Sequence, residues 1–91
     1  MIKIVLIVKE NCLACDIVSK VINQAINKAE TDIVLRTIIS NPIDDDYYMI
    51  KKYPTTLFLD KSGMCLARLE GSFPIDYLNK VIDKVKLECN E

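Results

Sequence analysis

Cys12 and Cys15 stand between an apolar run, Ile2 to Val8, and a segment whose apolar residues recur every three or four positions. This change of period restricts the fold more than any other feature of the chain. A near-continuous apolar run of that length is the pattern of a strand covered on both faces. Beyond the cysteines, Ala14, Ile17, Val18, Val21, Ile22, Ala25, Ile26 and Ala29 fall on one helical face. Lys20, Asn23, Gln24, Asn27 and Lys28 lie largely opposite. The pair therefore occupies a strand-to-helix junction. Two thiols there can exchange electrons as a dithiol/disulfide couple, but zinc, copper and plain packing also use C-x-x-C, and the rest of the chain has to separate these.

The later segments give an order of elements. Ile33 to Ile39, rich in β-branched residues, reads as a second strand ended by Asn41-Pro42, and Asp44 to Lys52 as a short helix. Thr55 to Asp60 and Met64 to Glu70 read as strands joined by the Lys61-Ser62-Gly63 turn, which makes them a hairpin. Pro74 suits a helix start, and Ile75, Leu78, Val81, Ile82, Val85 and Cys89 mark an amphipathic helix after it. The order β-α-β-α-β-β-α fits one domain spanning residues 1–91. Its first βαβ unit needs parallel strands and a right-handed crossover, and the hairpin adds antiparallel strands. An α/β fold with a four-stranded mixed sheet flanked by helices follows.

Composition narrows the function. Twelve basic and thirteen acidic residues leave a net charge of −1, which argues against general affinity for nucleic acid or an anionic membrane. The apolar stretches are strand-sized, and the N-terminal run lacks a signal-cleavage pattern, so a cytoplasmic location is expected. There, four cysteines point to redox or metal chemistry before a disulfide framework. The absence of histidine confines metal options to thiolate or thiolate–carboxylate sites and excludes His-based acid–base catalysis. Asp44 to Asp46 read as a solvated turn leading into a helix. Alternation places Cys65 with Ala67 and Leu69 as a small buried hydrophobe, and Cys89 falls on the apolar stripe of the last helix. Tyr47, Tyr48 and Met49 read mainly as core and edge residues.

Three landmarks then act together: Cys12-Leu13-Ala14-Cys15 after the first strand, Tyr53-Pro54-Thr55 opening the third, and Gly71 closing the fourth. In this order and spacing the chain resembles the thioredoxin-like superfamily in its compact form, over essentially its whole length. The resemblance implies a thiol–disulfide oxidoreductase that reduces disulfides of proteins or small molecules. It makes Cys12 the nucleophile, its thiolate favoured by a helix N-terminus, and Cys15 the resolving thiol. It implies a cis bond before Pro54, and a substrate-binding ledge of Tyr53 and Pro54 with Gly71 and Lys9 beside it. The Cys12–Cys15 disulfide is the only redox group implied, with no metal or separate cofactor. Partners would be disulfide-containing substrate proteins and a recycling reductant, either a thioredoxin-reductase-like enzyme or glutathione, with the chain acting as a monomer.

Several residues depart from the family pattern. Asp16 stands where a basic residue is common, Leu6 where many thioredoxins bury an acid, and Asn11 where a tryptophan is familiar. Tyr53 replaces a smaller residue. Lys9 matches a lysine common in glutaredoxins, yet their Gly-Gly glutathione-binding pattern is missing after the fourth strand. With Glu10 and Asp16 opposing the thiolate and Lys9 favouring it, a modest pKa depression and a reducing couple are expected. Two other readings stay open: a copper-transfer protein, which also puts C-x-x-C between a first strand and helix, and a redox-idle binding module.

Overall fold

A computed structural model describes residues 1–89. The elements are β1 (Ile2–Val8), α1 (Leu13–Lys28), β2 (Ile33–Ile39), α2 (Pro42–Tyr47), β3 (Thr55–Leu59), β4 (Cys65–Glu70) and α3 (Ile75–Cys89). The four strands form one mixed sheet in the order β2-β1-β3-β4. β1 pairs in parallel with β2, while β3 runs antiparallel to both β1 and β4. The expected element order, the parallel βαβ unit and the mixed sheet are all present.

β1 is central because it can be buried twice. Ile2, Ile4 and Leu6 point into the larger core with Val18 and Ile22 of α1 and Leu78 and Ile82 of α3. Val5 and Ile7 point the other way, joining Ile38, Leu57 and Leu59 in a smaller core edged by Tyr48, Ile50 and Tyr53. The near-continuous apolar run is thus two interleaved stripes. In α1 the buried stripe is Cys15, Val18, Ile22 and Ala25, whereas Ile17, assigned to that face by spacing, is 49% exposed.

α2 is shorter than expected and starts earlier. Asn41 accepts the Asp44 N–H at 2.9 Å as N-cap, and Pro42 fills the first turn, where its missing N–H removes nothing. The helix closes with paired bonds, Ile50 N–H to the Asp45 carbonyl at 2.8 Å and Met49 N–H to Asp46 at 3.2 Å. Met49 takes φ 55°, the left-handed position that glycine usually fills in this motif. Arg68 reaches over from β4 and donates to the carbonyls of Tyr48 at 2.6 Å and Met49 at 2.8 Å. Tyr47 and Met49 are consequently exposed, and only Tyr48 of the three reaches the smaller core.

Cys65 is the plainest correction. It is exposed, with its thiol 3.4 Å from the Ala67 carbonyl. Phe58 pairs with Ala67 while Leu59 pairs with Cys65, so Leu66 is an extra residue in β4. Such a bulge breaks alternation. Leu66, Ala67 and Leu69 all pack on the larger core, and Cys65 is turned out. Cys89 is half-buried and packs against that core, as its place on the stripe suggested.

Candidate redox site

The site gathers at one end of the sheet, where β1 ends and β3 begins. Ile7 lies opposite Thr55, and Thr55 lies opposite Glu70, so the segments after Val8, before Thr55 and after Glu70 are neighbours. These segments carry the tetrad, Tyr53-Pro54 and Gly71.

Asn11 brings the chain into the tetrad with φ 55°, a left-handed conformation that asparagine tolerates better than most residues. Cys12 follows in extended conformation as the N-cap of α1, and its Sγ accepts the Cys15 N–H at 3.1 Å. The sulfur thus takes the place of the oxygen that usually caps a helix. Cys12 and Cys15 are joined by a disulfide across a Cα–Cα distance of 5.2 Å. Their exposure differs: Cys12 is partly open, whereas Cys15 is 3% exposed.

Opposite lies the Tyr53-Pro54 peptide, which is cis. Pro54 is buried, and its carbonyl accepts the Gly71 N–H at 2.8 Å. Thr55 donates from its hydroxyl to the Lys52 carbonyl at 2.6 Å, closing the approach to β3. Gly71 adopts φ +87°, and a Cβ added there would meet only the Lys52 side chain, at 3.7 Å. Backbone conformation therefore explains this glycine.

Tyr53 is fixed from below by a polar cluster that the sequence did not suggest. The Asp45 Oδ2 accepts from the Tyr53 hydroxyl at 2.7 Å and from the Ser40 hydroxyl at 2.5 Å. These two bonds, Ser40's first, hold the Asp45 carboxyl below the ordinary value of 3.8, against the opposing effect of desolvation. Asp45 is thus more than part of a solvated acidic turn. Lys9 lies over the other side of this residue, its Nζ 5.6 Å from the ring centroid, within cation–π range. Asp16 and Glu10 are both exposed, and Leu6, on β1, is fully buried. Among the described residues, no group of three or more cysteine, aspartate or glutamate side chains is arranged to hold a metal ion. No helix among them is long and apolar enough to cross a membrane.

No family description and no curated protein matches the sequence. Solved structures do resemble the fold. Thioredoxin-2, a component of malaria parasite protein secretion machinery, superposes with a TM-score of 0.82 at 21% identity, covering 92% of this chain and 82% of that one. Chloroplastic thioredoxin z gives 0.78 at 18% identity, covering 96% and 80%. A further malarial protein gives 0.81 at 20% identity, covering 92% and 96%. The fold is thioredoxin-like.

Proposed function

We propose that this chain is a thiol–disulfide oxidoreductase that reduces disulfides of proteins or small molecules through Cys12 and Cys15. The observation that carries the reading is the inequality of the two sulfurs. Cys12 is the accessible one and accepts a helix N–H, while Cys15 is buried one turn on and already within bonding reach. An N–H donated to sulfur, with the positive end of the α1 dipole, favours thiolate over thiol and so creates the nucleophile at Cys12.

In the reduced protein the Cys12 thiolate attacks one sulfur of the substrate disulfide. A Cys12–substrate bond forms, and the other substrate sulfur leaves as thiolate. Cys15 then loses its proton and attacks the Cys12 Sγ. The mixed disulfide breaks, the second substrate thiolate departs, and two electrons have passed from the protein to the substrate. Tyr53, Pro54 and Gly71 form the ledge along which the substrate lies, and Lys9 flanks it. Among the described residues, neither the N–H nor the carbonyl of Tyr53 has a partner within the protein, so both are free to pair with an extended segment. A thioredoxin-reductase-like enzyme or glutathione would return the disulfide to dithiol. This cycle suits a reducing compartment such as the cytoplasm.

Thiol counting with mass determination, before and after mild oxidation, tests the reading. Two thiols should be lost reversibly to dithiothreitol, with the bond mapping to Cys12–Cys15. Cys15→Ser should trap substrates on Cys12. Retention of one equivalent of copper or zinc in place of that cycle, or equal trapping on Cys65 or Cys89, overturns the assignment. A Cys12 pKa below about 5 would refute the reducing direction, since strong oxidants occupy that range.

A further inference from the structure

Thr56 has a fully buried side chain, and its hydroxyl finds no hydrogen-bond partner. Buried hydroxyls rarely go unpaired, because each loses the water it could have bonded. Thr55, the other buried polar residue, uses its hydroxyl on Lys52. Among the described residues the Oδ1 of Asp45 is also buried without a partner, but that carboxylate is already bonded through Oδ2, whereas Thr56 has no bond at all, and its position in the sheet suggests a use.

Thr56 lies directly opposite Leu6 in the β1–β3 ladder. Residues opposite one another share a face of the sheet, and Leu6 faces the larger core with Val18 of α1. Phe58, two residues along β3, faces the same core. α1 returns antiparallel over β1, with Ala25 towards its far end and Cys15 at the end where Leu6 lies. Cys15 is the buried residue of α1 that precedes Val18 on this stripe. The orphan hydroxyl and the Cys15 side chain thus both face the space between α1 and the sheet, at the Leu6 end of β1. The chain has no histidine, and the strand position opposite Thr56 is the apolar Leu6, so this layer holds no ionisable side chain on either paired strand.

We infer that the Thr56 hydroxyl is the hydrogen-bond donor to the Cys15 sulfur when the disulfide is open. The inference rests on the proposed redox reading. In the disulfide form Cys15 carries no charge and offers little to a donor. When the mixed disulfide on Cys12 is resolved, the Cys15 thiol gives its proton to solvent and a thiolate forms in an apolar layer, where burial works against it. An O–H aimed at that sulfur offsets the burial and speeds the attack on Cys12. The hydroxyl donates without being consumed, and electrons pass only between sulfurs.

Ellman's reagent separates the two steps in one stopped-flow experiment on the reduced protein carrying Cys65→Ser and Cys89→Ser, which leaves Cys12 and Cys15 as its only thiols. Attack by Cys12 releases one aryl thiolate at a rate that depends on reagent concentration; resolution by Cys15 releases the second at a rate that does not. Thr56→Val keeps the shape and removes the hydroxyl. It should leave the first phase unchanged, slow the second by roughly tenfold, as expected for a lost charge-assisted hydrogen bond, and move that phase's pH midpoint upward. Thr56→Ser should restore both. A structural role for Thr56 would lower the melting temperature without moving the pH midpoint. An unchanged second phase in a folded Thr56→Val protein overturns the inference and leaves the redox reading intact. No second phase in this protein with Thr56 intact refutes the redox reading itself.

Discussion

The two faces of the sheet are built by different physics. The larger core lies under two long helices and is dry: Phe58, Leu78 and Val18 are essentially inaccessible. The smaller lies under a six-residue helix, and much of what holds that helix is polar. Asn41 caps its start, Arg68 binds the carbonyls at its end, and Asp45 ties it to Ser40 and Tyr53. Each face delivers one half of the site. The dry side places Cys15 through the α1 stripe, and the polar side holds Tyr53, and with it the approach to Pro54. Apolar burial hardly depends on pH, whereas hydrogen bonds to a carboxylate vanish on protonation. The same site is therefore held on one side by packing and on the other by charge.

Adjacent positions in β3 test this contrast most severely. Phe58→Ala should remove about 3–5 kcal/mol, read as a fall in the urea midpoint, because the cavity opens in a core with no solvent to fill it. Leu57→Ala, on the other face of the same strand, should cost less, about 2–3 kcal/mol, since the thinner α2 side can collapse around the gap. Equal losses would show that both faces are packed alike.

A gain is expected on the polar side. Met49→Gly relieves the left-handed residue at the α2 terminus and should stabilise the protein by about 1 kcal/mol, partly offset by glycine's greater freedom when unfolded. A loss of stability there would mean that the Met49 side chain contributes more than its backbone conformation costs.

The smallest effect is the pH dependence of Asp45. Its carboxyl titrates below the ordinary aspartate value in the folded chain, so it contributes stability above that ordinary value. The contribution disappears as pH falls through the folded value. Asp45→Asn should melt earlier than wild type near neutrality, and the two melting curves should converge on acidification. Curves that stay parallel down to pH 3 would remove charge from the account of this face.

The dry face was far more legible in the sequence than the polar one. Period alone located β1, α1 and α3, because burial under long elements repeats over many residues. The tetrad, Pro54 and Gly71 were legible for a related reason: each is punctuation at the end of a periodic segment. The α2 region repeats nothing. Its start depended on Asn41 capping a turn that opens at Pro42, and its end on a methionine in a glycine position, so the expected helix at Asp44 to Lys52 was misplaced at both ends. Asn41-Pro42 with Asp44 three residues after the cap was a usable helix-start signal. Asp45's bond to Tyr53 joins residues whose side chains meet only after folding, and no local pattern announces it. Cys65 was misplaced because alternation assumes an unbroken ladder, and one extra residue reverses it.

That extra residue at Leu66 also bears on how copies of the chain meet at high concentration. A sheet has two rims, and each unpaired rim is a template for a strand from a neighbour. On β4 the bulge twists the template, and Arg68 and Glu70, 3.3 Å apart, set charges along it. The β2 rim pairs in regular register with β1 from Ile33 to Ile39 and leaves Val34 and Ile39 open to solvent. On β2 the exposed Arg36 is the single charge between these apolar residues, so the β4 rim is the better guarded of the two against edge-to-edge stacking.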